Sequence, residues 1–292
     1  MLQGEESSFT GAGGVQLFSQ AWRPRVDHAP EAAAAVALVH GIGEHSGRYV
    51  WLVEHLTAAG FAVFSFDHRG HGRSPGRRGH ITSWSEYRDD VGAFLEHVHR
   101  LSPGVPIFIY GHSLGALIVA EYVLSKQPDV AGVILSGIPL QPTGVAKPHL
   151  IAMARILSRI LPSLRVSLGV NPDALSRDKA VAKAYEQDPL VHHRASMRWG
   201  TETLDAIDRV RSHASDIRLP LLILHGEADQ VNSVAGSREL LETVSSPDKQ
   251  LRVYAGGAHE PHNDLDRDKV VRDVAEWLTE HVNAVGAQQG AR

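Results

Sequence analysis

A serine lies at the centre of a glycine-flanked motif, Gly-His-Ser-Leu-Gly, at residues 111–115. The apolar residues 107–110 before it predict a buried strand, and the Ala- and Leu-rich residues 114–124 after it predict a helix. A G-x-S-x-G sequence between a strand and a helix is typical of a nucleophile elbow, a sharp turn that exposes the serine hydroxyl. The helix N-terminus also brings free N–H groups beneath the serine. The motif therefore predicts that Ser113 acts as a nucleophile.

A serine nucleophile needs a general base, and that base needs an orienting acid. The chain has 18 histidines, so position must select among them. Active-site groups of an open α/β sheet follow the carboxyl ends of strands. His259 follows a strand predicted at residues 250–254, and Asp229 follows one predicted at residues 219–224. The order Ser113, Asp229, His259 is the order of an α/β-hydrolase triad.

Two neighbouring residues compete for these roles. Glu227 lies nearer to its strand than Asp229, but a Gly-Glu-Ala-Asp turn favours its last member as the acid. His262 could replace His259 as the base, although it lies a turn further from the strand end. Both alternatives stay open at the level of the sequence.

An acyl-transfer site also needs backbone N–H donors for the oxyanion of its tetrahedral intermediate. Leu114, directly after the serine, supplies one at the start of the helix. The second donor is expected from Ile42, in the His-Gly-Ile-Gly loop at residues 40–43 that follows an apolar run at residues 33–39. By itself this loop motif is weak, because a plain tight turn has the same pattern.

The elements that position these groups alternate between strands and helices. Mostly parallel strands are predicted by six apolar runs, at residues 33–39, 61–66, 107–110, 132–136, 219–224 and 250–254. Looser alternation at residues 15–22 predicts an exposed antiparallel edge strand. No convincing strand occurs within residues 139–200. We therefore expect an α/β fold, with a hydrolase core of residues 1–138 and 201–292 interrupted by a helical cap at 139–200.

One helix predicted in this cap is basic and amphipathic. The apolar side chains that share one face are Leu150, Met153, Ala154, Leu157 and Leu161. The polar side chains that lie elsewhere are Arg155, Ser158 and Arg159. Such a helix can rest on a membrane surface or a lipid aggregate. It can equally pack on the core, since any surface helix is amphipathic. Both interpretations stay open.

Composition fits an ordinary globular protein and argues against several functions. The 292 residues are 43% hydrophobic and 21% charged with a formal net charge of −4, which does not indicate nucleic-acid binding. Absence of cysteine removes disulfides, thiol nucleophiles and thiolate metal sites. No secretory signal is visible, and no apolar run approaches the roughly 20 residues that span a bilayer. We expect a soluble, cytoplasmic protein whose cap is the part that would associate peripherally with membranes.

Six motifs together resemble the monoacylglycerol lipase family of α/β-hydrolases. The most discriminating is His-Gly-Ile-Gly-Glu-His-Ser-Gly-Arg-Tyr at residues 40–49, and the others lie at 67–74, 111–115, 185–190, 225–229 and 259–262. The similarity runs from Phe9 to Val282. It implies hydrolysis of monoacylglycerols to glycerol and fatty acid through an acyl-enzyme, without a metal or organic cofactor.

The resemblance also implies which residues hold the glycerol head, namely Glu44, Arg48, His112, Tyr185 and His262. Glu44 and Arg48 are four residues apart at a helix start, where they either contact hydroxyl groups or form a structural ion pair. The elbow departs from the family pattern at residues 114–116, where Leu-Gly-Ala replaces methionine and paired glycines. The backbone N–H of residue 114 is still available as an oxyanion donor, but the sequence does not define the shape of the acyl pocket.

Other functions remain to be weighed against this one. A lysophospholipase or a short- or medium-chain carboxylesterase would use the same triad. A metal-dependent hydrolase is disfavoured, because the pairs His68/His71 and His259/His262 lack H-E-x-x-H spacing. A non-catalytic binding protein could share the fold, but here every triad position is filled. The expected partner is a small lipid ester, with no nucleic acid, and the sequence does not indicate an oligomeric state.

Overall fold

An eight-stranded sheet forms the centre of the computed structural model, which describes residues 4–24, 32–143 and 148–290. In chain order the strands are β1 (Glu5–Thr10), β2 (Gln16–Trp22), β3 (Ala35–Val39), β4 (Ala62–Phe66), β5 (Ile107–His112), β6 (Gly132–Ser136), β7 (Arg165–Ser167), β8 (Arg194–Ser196), β9 (Leu221–Gly226) and β10 (Lys249–Tyr254). The order across the large sheet is β1-β2-β4-β3-β5-β6-β9-β10. β2 is antiparallel to both of its neighbours, and all other pairings in this sheet are parallel.

Helices cover both faces of this sheet. They are α1 (Val50–Ala58), α2 (Ser85–Leu101), α3 (Leu114–Lys126), α4 (Pro148–Ile160), α5 (Lys179–Gln187), α6 (Met197–His213), α7 (Val234–Thr243) and α8 (Arg267–Gly290). One face packs against α2, α3, α6 and α7, and the other against α1 and α8. Strands β3 to β6 are buried at every position, as their uninterrupted apolar sequences require. The predicted mostly parallel sheet flanked by helices is confirmed.

The predicted edge strand at residues 15–22 is wrong in its place in the sheet. It corresponds to β2, which lies inside the edge because β1 pairs with it from Glu5 to Thr10. Only Phe9 of β1 is buried, and the rest of this strand is exposed. A strand that buries one side chain leaves no apolar alternation in the sequence, which is why the pattern did not predict it.

Residues 139–200, the predicted cap segment, connect two strands that are neighbours in the sheet, β6 and β9. The segment contains α4, α5 and two three-residue strands, β7 and β8, which pair with each other antiparallel. These strands are too short to produce a periodic signal. Their pairing adds a small second sheet that the sequence did not predict.

The apolar face predicted in α4 is divided between the interior and the surface, since Ala154 and Leu157 are half-buried. Ser158 is buried and hydrogen-bonds to Thr201 on α6 at 2.8 Å, whereas Met153 and Leu161 are 59% and 50% exposed. The side chain of Leu150 lies outside the described residues. Helix α4 therefore contacts α6 through a polar pair, and several of its apolar side chains are exposed at the surface. Among the described residues, no helix is both long and apolar enough to cross a bilayer.

Candidate active site

The elbow predicted at residues 111–115 is a sharp turn between β5 and α3. Ser113 has φ 50° and ψ −117°, a conformation that non-glycine residues rarely adopt and that marks functional strain. A Cβ atom at Gly115 would lie 2.1 Å from the carbonyl oxygen of Val39, so only glycine lets the helix approach β3 this closely. The N–H of Ser113 donates to the carbonyl of Ser136 at 2.8 Å, which fixes the turn.

Three side chains from separate loops form a hydrogen-bonded chain at this turn. His259 Nε2 lies 3.0 Å from Ser113 Oγ, and His259 Nδ1 lies 2.7 Å from Asp229 Oδ2. Asp229 follows β9 and His259 follows β10, so the parallel pairing of these strands brings both to one edge of the sheet. The two competing residues lie outside this chain, since Glu227 accepts from the N–H of Gly256 and the ring nitrogens of His262 have no hydrogen-bond partner among the described residues.

Asp229 is held as a carboxylate by several donors. Its Oδ1 accepts from the N–H groups of Val231 and Asn232 at 2.7 and 2.9 Å, and His225 Nε2 lies 3.2 Å from Oδ2. Burial acts to raise the pKa of Asp229, but the charge of His259 and these hydrogen bonds hold it well below its usual range. Sequence reasoning assigned no role to His225, although it opens the motif at residues 225–229.

The pKa of His259 is set by opposing effects. Burial acts to lower it, while the charge and hydrogen bond of Asp229, followed by the charges of Glu260 and Glu44, raise it above its ordinary value. An imidazole in this environment accepts a proton readily and forms a stabilised imidazolium. The arrangement suits a base that takes the hydroxyl proton of Ser113.

Two backbone N–H groups are available next to the serine. Leu114 is the first residue of α3, so its N–H has no partner within the helix. Ile42 lines the same small cavity as Ser113, and a Cβ at Gly41 would lie 3.3 Å from Ser113 Cβ. No described residue accepts a hydrogen bond from either N–H. Both predicted donors therefore lie on loops that meet at the serine.

A cavity of ≈ 30 Å³ accessible to water-sized molecules lies against Ser113 and His259. Four of the five residues that the resemblance implied for glycerol binding line it, namely Glu44, Arg48, His112 and Tyr185. His262 does not line it and is fully buried behind it, where it stacks on Tyr49 at a ring-centroid distance of 4.6 Å. Burial lowers the pKa of His262 to about 4, so this ring is neutral at pH 7.

A buried ionic network of Glu44, Arg48 and Glu260 lines part of the cavity. Arg48 lies 2.6 Å from Glu44 and 2.7 Å from Glu260, and its guanidinium lies 4.8 Å from the ring centroid of Tyr185. Glu44 also accepts from Tyr49 Oη and from the N–H of Gly41, each at 2.6 Å. Sequence reasoning missed Glu260. Its position directly after His259 was the only signal in the sequence that could have found it.

One stretch of the cap segment is hydrogen-bonded to the histidine loop. The N–H groups of His259 and Glu260 donate to the carbonyls of Ala174 and Leu175 at 3.3 and 2.8 Å. Arg177 pairs with Asp264, whose Oδ2 also accepts from the N–H of Ala258 at 2.8 Å. The loop that carries His259 is therefore partly built by the cap segment.

The same segment is bonded to the loop that carries Ile42. The N–H of His192 donates to the carbonyl of Gly43 at 2.8 Å, and Asp188 lies 2.8 Å from Nε2 of His45. Gly43 has φ 76°, and a Cβ there would lie 2.4 Å from the carbonyl oxygen of His192. The loops that carry His259 and Ile42 are thus both hydrogen-bonded to residues within 174–192. Among the described residues, no group of three or more His, Cys, Asp or Glu side chains is arranged to hold a metal ion.

Comparison with known proteins agrees with this geometry. The serine aminopeptidase S33 family matches residues 30–266. A monoacylglycerol lipase of Mycolicibacterium smegmatis is 35% identical over 95% of this chain and 98% of its own length. The chain belongs to the monoacylglycerol lipase family. Human monoglyceride lipase is 32% identical over 94% of this chain and 90% of its own length.

A solved structure extends the likeness to three dimensions. The monoacylglycerol lipase of Paleococcus ferrophilus superposes with a TM-score of 0.82 at 36% identity, covering 91% of this chain and 99% of that one. The fold is therefore that of the α/β-hydrolases, as the sequence predicted. The relatives are carboxylic ester hydrolases, and the chain is an enzyme of that class.

Proposed function

We propose that this chain hydrolyses monoacylglycerols to glycerol and free fatty acid through an acyl-enzyme. The observation that carries the proposal is the hydrogen-bonded chain from Ser113 through His259 to Asp229, next to a cavity that Glu44 and Arg48 help to line. Relatives named monoacylglycerol or monoglyceride lipase support the choice of substrate. No cofactor or metal takes part in the proposed chemistry.

Acylation begins when His259 Nε2 removes the proton of Ser113 Oγ as this oxygen attacks the ester carbonyl carbon. The resulting oxyanion receives hydrogen bonds from the N–H groups of Ile42 and Leu114. His259, now an imidazolium stabilised by Asp229, gives its proton to the leaving glycerol oxygen. The ester C–O bond breaks, glycerol departs, and the acyl group stays on Ser113.

Deacylation repeats these steps with water as the nucleophile. His259 takes a proton from water, the hydroxide oxygen attacks the acyl carbon, and the same two N–H groups stabilise the second oxyanion. His259 then returns the proton to Ser113 Oγ as the fatty acid leaves. Glu44, Arg48 and their neighbours along the cavity wall would orient the glycerol hydroxyls during the first half of this cycle.

The cavity is far smaller than a binding site for a lipid ester, since such sites measure about 300–1,000 Å³, whereas this one offers ≈ 30 Å³. Residues 139–200 would therefore act as a cap that moves to admit the acyl chain. Exposed apolar side chains mark its outer surface, including Met153, Ile156 and Ile160 at 59%, 60% and 69% exposure. We propose that this surface contacts membranes or lipid aggregates transiently during substrate uptake.

A hydrolysis panel tests the function directly. Mono-, di- and triacylglycerols and lysophospholipids of several chain lengths should be assayed with the wild type, S113A and S125A. Monoacylglycerols should be the best substrates, S113A should lose activity by roughly 10⁴-fold or more, and S125A should match the wild type because the Ser125 hydroxyl donates to the carbonyl of Tyr122 within α3. A strong preference for lysophospholipids would instead support the lysophospholipase alternative. Ester hydrolysis that survives in S113A would overturn the mechanism.

A further inference from the structure

Glu260 is fixed against the guanidinium of Arg48 from two sides. Its Oε1 and Oε2 lie 2.7 and 2.9 Å from Nη1 and Nη2 of Arg48, a bidentate pairing. Oε2 also accepts from Nδ2 of Asn263 at 2.9 Å. The side chain is only 3% exposed, yet it lines the cavity beside Ser113. A carboxylate so constrained acts mainly through its charge and through the orientation of Arg48.

The network carries more negative than positive charge. Arg48 Nη1 also donates to Glu44 Oε2 at 2.6 Å, so one guanidinium is shared by two carboxylates. The other two described hydrogen-bond partners of Glu44 are Tyr49 Oη and the N–H of Gly41, and both donate to it. A carboxyl group that accepts from three donors is in its ionised form. Burial and then Glu260 raise the pKa of Glu44 against the effect of Arg48, whereas Arg48 outweighs burial and lowers the pKa of Glu260.

No other cation faces this cavity within the described part of the chain. Arg48 is the sole lysine or arginine among the lining residues. Burial lowers the pKa of His112 well below its ordinary value and that of His262 to about 4, so both rings are neutral at pH 7. Burial raises the pKa of Tyr185 to about 12, so its hydroxyl is neutral as well. The ring of His259 also lines the cavity, and the Asp229 carboxylate bonded to its Nδ1 at 2.7 Å offsets the positive charge of its protonated form.

We propose that Glu260 sets the charge selectivity of the alcohol-binding cavity: by cancelling the charge of Arg48 beside Glu44, it admits uncharged hydroxyl-bearing alcohols and rejects anionic ones. An arginine that faces a substrate cavity without such a partner is a strong ligand for phosphate. Here its fork is already occupied by a carboxylate, and a phosphate on the alcohol would meet two buried carboxylates. Like charges placed together in this way are strongly unfavourable.

The inference rests on the proposed function and identifies which esters that function excludes. The test compares kcat/KM for a 1-monoacylglycerol with that for the lysophosphatidic acid of the same acyl chain, both in neutral detergent micelles. The ratio of the two constants is the readout, because a general loss of activity from a loosened network cancels in it. The wild type should favour the neutral ester, and E260Q should reduce that preference by roughly tenfold or more.

Three further variants isolate the effect of charge. E260D keeps the charge and should retain most of the preference. E239Q removes a surface carboxylate that pairs with Arg211, so its ratio should equal that of the wild type. If E260Q does not fold, E44Q takes its place, because it removes the same unit of charge from the same network and should shift the ratio in the same direction. An unchanged ratio in the folded neutral variant overturns the proposal.

A second substrate pair separates this inference from the proposed function. 4-Nitrophenyl butyrate and 4-(butyryloxy)benzenesulfonate place a neutral and an anionic leaving group in the alcohol site without any glycerol. If the wild type does not hydrolyse monoacylglycerols, the proposed function fails, and this pair still reports the charge selectivity. A wild type that hydrolyses the anionic member of both pairs as fast as the neutral one refutes the selectivity, whatever its glyceride activity.

Discussion

Two stretches of the cap segment differ in what they bond to. The inner stretch, residues 174–192, is hydrogen-bonded to the loops that carry His259 and Ile42. The outer stretch, residues 148–166, bonds to α6, for example through Ser158. No described residue of the outer stretch bonds to either catalytic loop. The inner stretch therefore helps to build the candidate active site, whereas the outer stretch is held by α6.

This difference bears on how a substrate reaches Ser113. Displacing the inner stretch would break hydrogen bonds that hold the catalytic loops, so opening there would dismantle the site it serves. Displacing the outer stretch would break the buried Ser158–Thr201 hydrogen bond and the β7–β8 pairing, which hold neither loop, and exposed contacts such as the Arg155–Asp205 ion pair, whose side chains are 42% and 40% exposed. Exposed pairs of this kind contribute little, typically about 0–1 kcal/mol. This difference in hydrogen bonding favours a route by which the substrate reaches Ser113 when the outer stretch moves and the inner stretch stays in place.

The largest effect is expected where the inner stretch meets the histidine loop. Asp264 accepts from the N–H groups of Ala258 and Arg177 and from Nε of Arg177, at 2.8 to 2.9 Å. Asp264→Asn leaves buried donors without their acceptor, so His259 loses its exact placement and kcat/KM should fall by roughly 100-fold. Asp266→Asn is the matched control, because Asp266 binds the same arginine at the surface with 50% of its side chain exposed. Equal activity of the two variants in steady-state assays would contradict the role of the inner stretch.

A smaller effect is expected at the loop that carries Ile42. His45→Gln or Asp188→Asn removes the 2.8 Å side-chain contact between this loop and the inner stretch and leaves the His192–Gly43 backbone bond in place. Because the oxyanion forms only during the reaction, kcat should fall about tenfold with little change in KM. The double variant should be no worse than either single one, since both break the same contact. Asp173→Asn, in the exposed Asp173–Lys179 pair, serves as the control. Additive losses in the double variant would refute the coupling.

The outer stretch should affect only substrates that are presented in lipid. Ile156→Ser and Ile160→Ser remove exposed apolar surface from α4, so activity on monoacylglycerol in vesicles should fall by roughly fivefold while soluble butyrate esters are hydrolysed normally. Leu265→Ser is the control, because Leu265 is 62% exposed but lies near the start of α8. Vesicle flotation and the two assays provide the measurements. A loss on soluble esters would mean that the outer stretch also supports the catalytic loops.

The sequence predicted the inner core of this molecule better than its cap. The apolar strands and the elbow are local patterns, and chain order placed Ser113, Asp229 and His259 on loops that the structure brings together. The contact between Arg48 and Glu260 joins residues 212 positions apart, and no local period records such a pairing. The contact that holds α4 could not be predicted for a related reason, because Ser158 finds its hydrogen-bond partner on α6. Local sequence patterns thus predict the helices and strands, whereas contacts between polar side chains far apart in the sequence are seen only in the folded structure.

The smallest expected effect is on the pH dependence, and it too separates the two stretches. The reaction needs unprotonated His259, whose pKa lies above its ordinary value of 6.5 because Asp229, Glu260 and Glu44 outweigh burial. Activity should therefore fall as the pH drops through that raised pKa and be retained above it. Glu260→Gln removes one negative charge from the network bonded to the inner stretch, so the acid limb of kcat/KM should move to lower pH. Ile156→Ser, in the outer stretch, should leave the limb in place. A limb that moves equally in both variants would show that cap mobility, rather than charge at His259, controls it.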